Sequence, residues 1–227
     1  MMPTGTKLAV LGVLSSALFA AHAAPVTYLA ADNNVSSLAQ MVNSSAAAAS
    51  FLSVAGSLNT VDFESPLPAN LTITGGTTTN DSGCGAVCGF NTTAGGAFFR
   101  NVIGGSVTFS FANAVDAFGF FVNGLQTDLV PQQTIVYVDG SSVTQTINMP
   151  SAVNGGGAFV GFIDYGQLIA SVTFNATNDI LGFDDLRFGR SANNPTDPNN
   201  VPEPGSLALL GAALAGLATT RRRNKQD

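Results

Sequence analysis

The chain has 227 residues and a net charge of −6, and its acidic character is strongest in the middle. Between Ala24 and Asn200 there are twelve Asp and Glu, three Arg and no Lys. These numbers exclude nucleic acid as a partner, because a phosphate backbone requires clustered Lys and Arg. The middle segment has the length of one domain, and its many Gly, Asn, Ser and Thr residues are typical of short strands joined by turns.

Residues 1–23 have the pattern of a signal peptide. Lys7 supplies the positive region, residues 8–19 form an apolar core, and Ala21-His22-Ala23 fits a small-x-small cleavage site. Cleavage there would make Ala24 the first mature residue and would remove His22, the only His of the chain. The amino terminus therefore predicts export.

A short helical lead-in is predicted for residues 24–57. Asp32 is placed to cap a helix, the apolar residues that follow fall on one face, and Gly56 ends an Ala-rich stretch. Asn43-Ser44-Ser45 is expected to divide this segment into two short helices.

Cys84 and Cys88 are the only cysteines, and they lie in a Gly-rich segment. In an exported protein this pair predicts a local disulfide. A zinc site is the alternative, but the mature chain has no His to complete it. A redox role is disfavoured, because the spacing is C-x3-C rather than C-x-x-C.

Residues 58–190 are predicted to form one β-domain. Val107, Phe109 and Phe111 alternate with Ser and Thr, as in a strand with one buried face. Asp139-Gly140 predicts a tight hairpin. Further strands are expected at 61–63, 71–74, 97–100, 118–122, 135–138, 143–147, 158–163, 172–176 and 181–188.

The predicted fold class is mainly β: an antiparallel β-sandwich, jelly-roll-like, with one or two short N-terminal helices and a C-terminal transmembrane helix. A parallel β-helix is the main alternative, but the sequence has no fixed repeat period to support it.

Two acidic segments lie near the ends of the strand region, Val61-Asp62-Phe63-Glu64 and Phe183-Asp184-Asp185-Leu186. They resemble carbohydrate-binding jelly-roll modules, in which an early Phe-Glu and a late Asp-Asp-Val flank a structural calcium ion. The resemblance implies Glu64 and Asp185 as ligands, with Asp184 as the substitute. Strict alternation would place Asp184 on the side of Leu186 and point Asp185 away. If these carboxylates do not bind calcium, they cap strand ends or pair with Arg.

Other chemistry has little support in the sequence. A glycoside hydrolase would need two carboxylates across a sugar cleft, which an acidic protein can offer without being an enzyme. Nucleophilic catalysis lacks a His base and a Gly-x-Ser-x-Gly motif. Tyr165, in a predicted loop, and Tyr137, predicted to be exposed, are the candidate ligand contacts, because a sugar-binding face usually presents aromatic rings.

The carboxyl terminus has the order of a sorting signal. Residues 191–200 are predicted to be a flexible spacer. In residues 201–227, Pro202-Glu203-Pro204 precedes an apolar segment at about 206–220, which is the predicted transmembrane segment, and a basic tail at 221–225.

This arrangement resembles the PEP-CTERM sorting signal of exported bacterial proteins. The resemblance implies an exosortase-type processing enzyme as a partner, a transient hold in the inner membrane, and delivery to the cell surface or extracellular matrix.

The sequence therefore favours a non-enzymatic, exported β-sandwich protein with a surface or matrix role. A carbohydrate-binding module that engages exopolysaccharide, with calcium as its structural cofactor, is the second hypothesis. A hydrolase that uses only carboxylates is the third.

Overall fold

The computed structural model of the chain describes residues 25–126, 131–147 and 155–192. The predicted signal peptide and sorting segment lie outside these ranges. Within them, no helix is both long and apolar enough to cross a membrane. The described ranges contain one α-helix, α1 (Val42–Ala55), and the strands β1 (Val26–Asp32), β2 (Asn59–Val61), β3 (Leu71–Thr74), β4 (Thr77–Thr79), β5 (Phe99–Val115), β6 (Ala117–Leu125), β7 (Gln132–Tyr137), β8 (Ser142–Thr146), β9 (Gly156–Ile163) and β10 (Ile169–Gly189).

The fold is organised by a long antiparallel ribbon of β5 and β10, which doubles back on itself. The rings of Phe174 and Phe183, both in β10, lie 5.1 Å apart between centroids. Nine residues of straight strand would separate them by about 30 Å. The pairing of the two strands shifts between Asn175 and Ile180, opposite Gly105, whose φ of 73° few other residues adopt. The ribbon therefore folds over at this point.

The two halves of the ribbon contribute to two layers. We call the strands in the order β3-β5-β10-β7-β8 the front layer, and the strands β5-β10-β6-β9-β1, together with β2 and β4, the back layer. All of the pairings are antiparallel. Buried apolar residues from both layers form one core cluster between them. The prediction of a mainly antiparallel β fold is confirmed, and the sheet is curled in a manner consistent with a jelly roll.

The centre of this core is built from phenylalanine rings. Phe109 and Phe120 lie 5.6 Å apart, and Phe183 lies 5.6 Å from Phe120 and 6.2 Å from Phe109. All three side chains are fully or almost fully buried. These rings join β5, β6 and β10, so the Phe-rich strand pattern is explained by packing rather than by ligand binding.

The amino-terminal region differs from the predicted helical lead-in. It begins with β1, which pairs with β9 from Val26 to Asp32. Asp32 does cap a helix, but at a distance: its carboxylate accepts the backbone N–H groups of Asn43 at 3.0 Å and Ser44 at 2.9 Å. These two residues lie in the first turn of α1, where N–H groups lack helical partners. Asn43-Ser44-Ser45 therefore lies in the first turn of α1 instead of dividing two helices, and a short 3-10 helix, Leu38–Gln40, precedes α1.

Helix α1 covers the outer face of the back layer. Phe51 is fully buried there, and the strand beneath it approaches closely at Gly161, where an added Cβ would lie 3.0 Å from the Phe51 ring. Phe51, Phe121 and Phe159 belong to a second apolar cluster on this face. The helix therefore seals one side of the sandwich.

The strands near a predicted tight turn and in β10 test two sequence predictions. The hairpin at Asp139-Gly140 is confirmed: Gly140, with a φ of 85°, donates to the Tyr137 carbonyl at 3.0 Å between β7 and β8. The segments 172–176 and 181–188, predicted as two strands, form the single strand β10.

Candidate functional site

The two acidic segments come together, as the sequence predicts. Leu186 of β10 pairs with Val61 of β2, so Glu64 and the two aspartates approach the same part of the molecule. Their side chains do not converge on one point. They hold two ends of one loop, which runs from Phe90 to Phe98 and which we call the 90–98 loop.

A β-bulge decides where Asp184 and Asp185 point. Phe183 and Leu186 both face the core between the layers, although strict alternation would separate them. The extra residue is accommodated where pairing with β6 shifts between Asp184 and Arg187, and Asp185 has a φ of 48°. The expectation that Asp184 shares the side of Leu186 is therefore wrong. Asp184 lies on the outer face of the back layer.

Both aspartates face the 90–98 loop. The Thr92 hydroxyl lies 3.2 Å from an oxygen of Asp184 and 3.2 Å from an oxygen of Asp185. Asp184 also accepts the backbone N–H groups of Thr92 at 2.6 Å, Thr93 at 3.1 Å and Asp185 at 2.9 Å. These bonds fix the first turn of the loop to β10.

Asp184 is fully buried under the loop. Burial raises the pKa of its carboxyl to about 7, outweighing the hydrogen bonds from Thr92, Asp185 and Thr93, and the nearby charge of Asp185 acts in the same direction as burial. The group therefore titrates near neutral pH while holding the loop.

Glu64 fixes the other end of the loop. One of its carboxylate oxygens accepts the backbone N–H groups of Ala97 at 2.6 Å and Phe98 at 2.7 Å, and the Asn91 amide at 3.2 Å. Asn91 donates in addition to the Phe98 carbonyl at 2.7 Å. The backbone of Phe98 is thus held on both sides.

The predicted calcium ligands fit a metal site only in part. Asp184 and Asp185 place two carboxylates side by side, but Glu64 directs an oxygen to the other end of the loop. In the described ranges, no group of three or more His, Cys, Asp or Glu side chains is arranged to hold a metal ion.

A disulfide and a small cleft lie next to the 90–98 loop. Cys84 and Cys88 are joined in a turn whose last carbonyl accepts the Asn101 amide at 3.1 Å. Asn123, fully buried at the end of β6, exchanges two hydrogen bonds with the backbone of Phe90 at 2.8 and 2.9 Å. The cleft has a volume of about 220 Å³, and its lining includes Asn80, Asp81, Ser82, Phe90, Asn91 and Phe99.

Phe98 lies in the chain between Ala97 and Phe99, two of the residues that line this cleft, but is not itself among the lining residues. Its side chain is 40% exposed, whereas Phe99 is 2% exposed. Among the described Phe and Tyr residues, Phe98 alone falls in the exposed class. Phe98 was not among the predicted ligand contacts, although two adjacent Phe residues at the start of a strand point to opposite faces.

The predicted ligand contacts Tyr137 and Tyr165 lie elsewhere, at the end of the sandwich where the described chain ends. Tyr137 is buried rather than exposed, and its hydroxyl donates to Asp164 at 2.9 Å. Burial, and then this hydrogen bond, raise the pKa of Tyr137. The predicted phase of β7 is wrong because Ile135 and Tyr137 face the core, while Val138 is 61% exposed.

Tyr165 is half-buried and packs against the apolar cluster under α1. Burial raises its pKa. Tyr137, Gly166 and Gln167 are among the residues that line a cleft of about 410 Å³ near the Asp139-Gly140 turn. Among the described residues of this lining, Tyr137 alone has a ring, and its side chain is 6% exposed.

Comparison with known proteins identifies the carboxyl terminus. Residues 200–223 match the PEP-CTERM protein-sorting motif, so the chain carries this motif where the sequence analysis placed it. No curated protein matches the chain.

Carbohydrate-binding modules are among the solved structures that resemble the chain. A CBM29-2 variant in complex with mannohexaose shares 14% identity and a TM-score of 0.37, over 63% of this chain and 98% of that chain. TmCBM61 in complex with β-1,4-galactotriose shares 14% identity and a TM-score of 0.36, over 57% of this chain and 94% of that chain. The enzymatically active domain of tailspike protein 4 from bacteriophage CBA120 shares 18% identity and a TM-score of 0.31, over 53% of this chain and 19% of that chain.

Proposed function

We propose that the protein is exported, processed at its PEP-CTERM motif and delivered to the cell surface or extracellular matrix, where it binds a neutral polysaccharide without acting on it chemically. The export part is supported by the signal-peptide pattern and by the match at residues 200–223. The binding part is carried by one observation: the 90–98 loop holds an exposed Phe98 ring on a fixed backbone and also contributes residues to the lining of a polar cleft.

The cleft has the chemistry of a site for one sugar ring. The exposed amide of Asn80 can exchange hydrogen bonds with sugar hydroxyls, and the amide oxygen of Asn91 can accept them. The loop that contributes Asn91 also carries the exposed, flat apolar ring of Phe98. Because Glu64 and Asn91 already hold the Phe98 backbone, little conformational entropy would be lost on binding.

The position of the site also favours a binding role. The described chain ends near Gly189, which pairs with Ala117 at one end of the back layer. The 90–98 loop is tied to Asn123 and lies next to Gly182, at the opposite end. A domain linked to the surface through its carboxyl terminus would therefore present the cleft outward.

The carboxylates support a non-catalytic role. Glycoside hydrolysis requires two carboxyl groups that face a sugar from two sides of a cleft. Asp184 is fully buried under the loop, and Glu64 accepts two backbone N–H groups. Both carboxyl groups therefore hold the 90–98 loop, and a sugar substrate could reach them only by displacing that loop.

Substitution of Phe98 by Ala tests the binding site. We expect Phe98→Ala to weaken binding to a neutral polysaccharide by about fivefold or more, since one aromatic contact is worth about 1 kcal/mol. Phe98→Tyr should retain binding. Affinity electrophoresis of the full-length protein in gels that contain hydroxyethyl cellulose, dextran or mannan measures the effect.

Val87→Ala is the matched control for this substitution, because Val87 is 42% exposed in the disulfide turn but has no ring. Equal retardation of the parent and of Phe98→Ala, in a polysaccharide that retards both, would remove this site from consideration.

Calcium binding at Glu64, Asp184 and Asp185 stays a prediction, and it forms a second part of the proposal. An ion that took oxygens from both ends of the 90–98 loop would replace hydrogen bonds that now hold it. Extracellular calcium sites often bind in the range of about 0.1–1 mM. We expect millimolar calcium to raise the melting temperature of the parent but not of Glu64→Ala or Asp185→Ala. A parent melting temperature that calcium leaves unchanged would refute the prediction, with magnesium as the ion control.

A further inference from the structure

The outer face of the front layer is covered by hydroxyl side chains in register. Alternate residues of five neighbouring strands point to this side, and all of them are exposed or partly exposed. We call this surface the hydroxyl face. Its residues are Thr72, Thr74, Ser106, Thr108, Ser110, Gln132, Thr134, Val136, Ser142, Thr144, Thr146, Ser171, Thr173 and Asn175.

The strand pairing aligns these side chains in rows across the strands. The middle row consists of five threonines, one from each strand, which are directly opposite each other: Thr74, Thr108, Thr173, Thr134 and Thr144. Two hydroxyl pairs within the row are in hydrogen-bond contact, Thr108 with Thr173 at 2.9 Å and Thr134 with Thr144 at 3.0 Å. A second row contains Thr72, Ser110, Ser171, Val136 and Ser142.

The composition of the hydroxyl face indicates the charge of its partner. None of its fourteen side chains is charged or aromatic, although the mature segment carries a large excess of acidic residues. An uncharged surface on an acidic protein neither attracts nor repels a neutral partner. Each hydroxyl can both donate and accept a hydrogen bond, so the face suits a partner that repeats both functions.

The geometry indicates the shape of the partner. Neighbouring strands lie about 4.8 Å apart, so the five-threonine row is roughly 19 Å long. Neighbouring strands are also rotated by about 20–25° relative to each other, so the row follows a twist. A flat, rigid lattice would match only part of such a row. A flexible chain can follow all of it and continue beyond either end.

We propose that the hydroxyl face is a docking surface for a chain of neutral polysaccharide, which lies across the strands along the row of five threonines. The choice of a polysaccharide as the partner rests on the function proposed above. The hydroxyl face itself is separate from the 90–98 loop and from the cleft beside it.

Two separate surfaces give the protein a further activity. The hydroxyl face belongs to the front layer, and the 90–98 loop lies over the outer face of the back layer, so the core separates them. One protein molecule therefore binds two polysaccharide chains, one on each side, and joins them. Many weak contacts along a matrix would then add up to firm retention.

The experiment removes three central hydroxyls and keeps the shape of the side chains. The triple variant Thr108→Val, Thr134→Val and Thr173→Val preserves branching at Cβ, so the strands should form as before. The matched control carries Thr60→Val and Thr78→Val, which lie in β2 and β4 outside the face. Thermal melts followed by circular dichroism establish that each full-length variant is folded.

Binding and bridging are measured separately, by affinity electrophoresis and by the viscosity of a hydroxyethyl cellulose solution. We expect the parent and the control to bind and to raise the viscosity. The triple variant and Phe98→Ala should each bind but lose most of the viscosity increase. The variant with all four substitutions should lose at least tenfold in affinity.

The outcomes separate the two proposals. If Phe98→Ala behaves as the parent while the triple variant loses binding, the hydroxyl face stands and the Phe98 site fails. If the triple variant raises the viscosity as the parent does, the hydroxyl face is overturned. The hydroxyl-face proposal is also overturned if the parent leaves all three polysaccharides unbound. This holds even if the parent slows ice recrystallisation, or forms a dimer, and the triple variant abolishes that property.

Discussion

Raising the pH from about 4 to about 7 should lower the free energy of unfolding through Asp184, by at most roughly 4 kcal/mol, since each pH unit is worth about 1.4 kcal/mol. The ordinary pKa of the group is 3.8, and burial under the 90–98 loop raises it to about 7 in the folded protein. Between these values the folded state binds a proton that the unfolded state has lost. The contribution of Asp184 to the free energy of unfolding is therefore fully present below about pH 4 and is lost as the pH rises through about 7.

Asp184→Asn should remove this dependence, because the amide does not titrate in this range. Urea denaturation at closely spaced pH values measures the slope for the parent and the variant. Asp81→Asn is the control, since Asp81 is an exposed carboxylate that accepts a backbone N–H group at 2.8 Å. The control should keep the parent slope between pH 5 and 7. A parent whose stability is constant in this window would show that the loop does not bury the Asp184 charge.

Ionisation of Asp184 between about pH 4 and pH 7 should also affect the proposed binding site. Thr92, Thr93 and Phe98 belong to one loop, which Asp184 holds at one end and Glu64 at the other. Ionisation of Asp184 costs most while the loop is closed over it, because the charge is then removed from water. The loop should accordingly be held most firmly in mildly acidic conditions, and the Phe98 ring with it.

Local sequence patterns predicted the positions of strands well, but they did not predict how far a strand continues or which strands pair. The alternation of Val107, Phe109 and Phe111 located part of β5, and Asp139-Gly140 located a hairpin, because both signals depend on a few adjacent residues. No local signal indicated that residues 172–176 and 181–188 form one strand. That continuity depends on a fold-over which β5 stabilises through pairing over many residues.

The errors in the site have a similar origin. The approach of the two acidic segments followed from the general arrangement of first and last strands, and the pairing of β2 with β10 shows it, although the side chains of Glu64 and Asp184 hold opposite ends of the 90–98 loop. The side that Asp184 faces depended on one extra residue in a bulge, which alternation cannot reveal. Tyr137 was misplaced by one position because Val136 and Val138 looked like the apolar face of β7.

The hydroxyl face shows what strand register adds to composition. Ser106, Thr108 and Ser110 are visible in the sequence as the polar side of one strand. Only the pairing of five strands places Thr108 in a row with Thr74, Thr173, Thr134 and Thr144. An abundance of Thr and Ser suggests turns and solvent exposure, whereas their alignment in rows suggests a ligand whose hydrogen-bonding groups repeat along its length.

Replacing Pro202-Glu203-Pro204 with three alanines should leave the protein in the membrane instead of at the cell surface. The matched motif covers residues 200–223 and contains the apolar segment and the three arginines of the basic tail. Without the recognition residues, an exosortase-type enzyme would have no signal to process, while the apolar segment would still enter the bilayer. Membrane fractionation and protease treatment of intact cells measure the distribution.

The domain itself should be unaffected by this change, for a structural reason. The end of the described chain is fixed: Ser191 donates its backbone N–H to buried Asp116 at 2.6 Å, and Ala192 donates to the Ala55 carbonyl at 2.8 Å. Nine residues separate Ala192 from Pro202 and span at most about 32 Å when extended. Pro195→Ala with Pro198→Ala is therefore the matched control, because it removes two prolines of the spacer and leaves the motif intact. Surface delivery of the triple-alanine variant at the parent level would contradict the role of the motif, and retention of the spacer control in the membrane would show that the spacer, rather than the motif alone, is recognised.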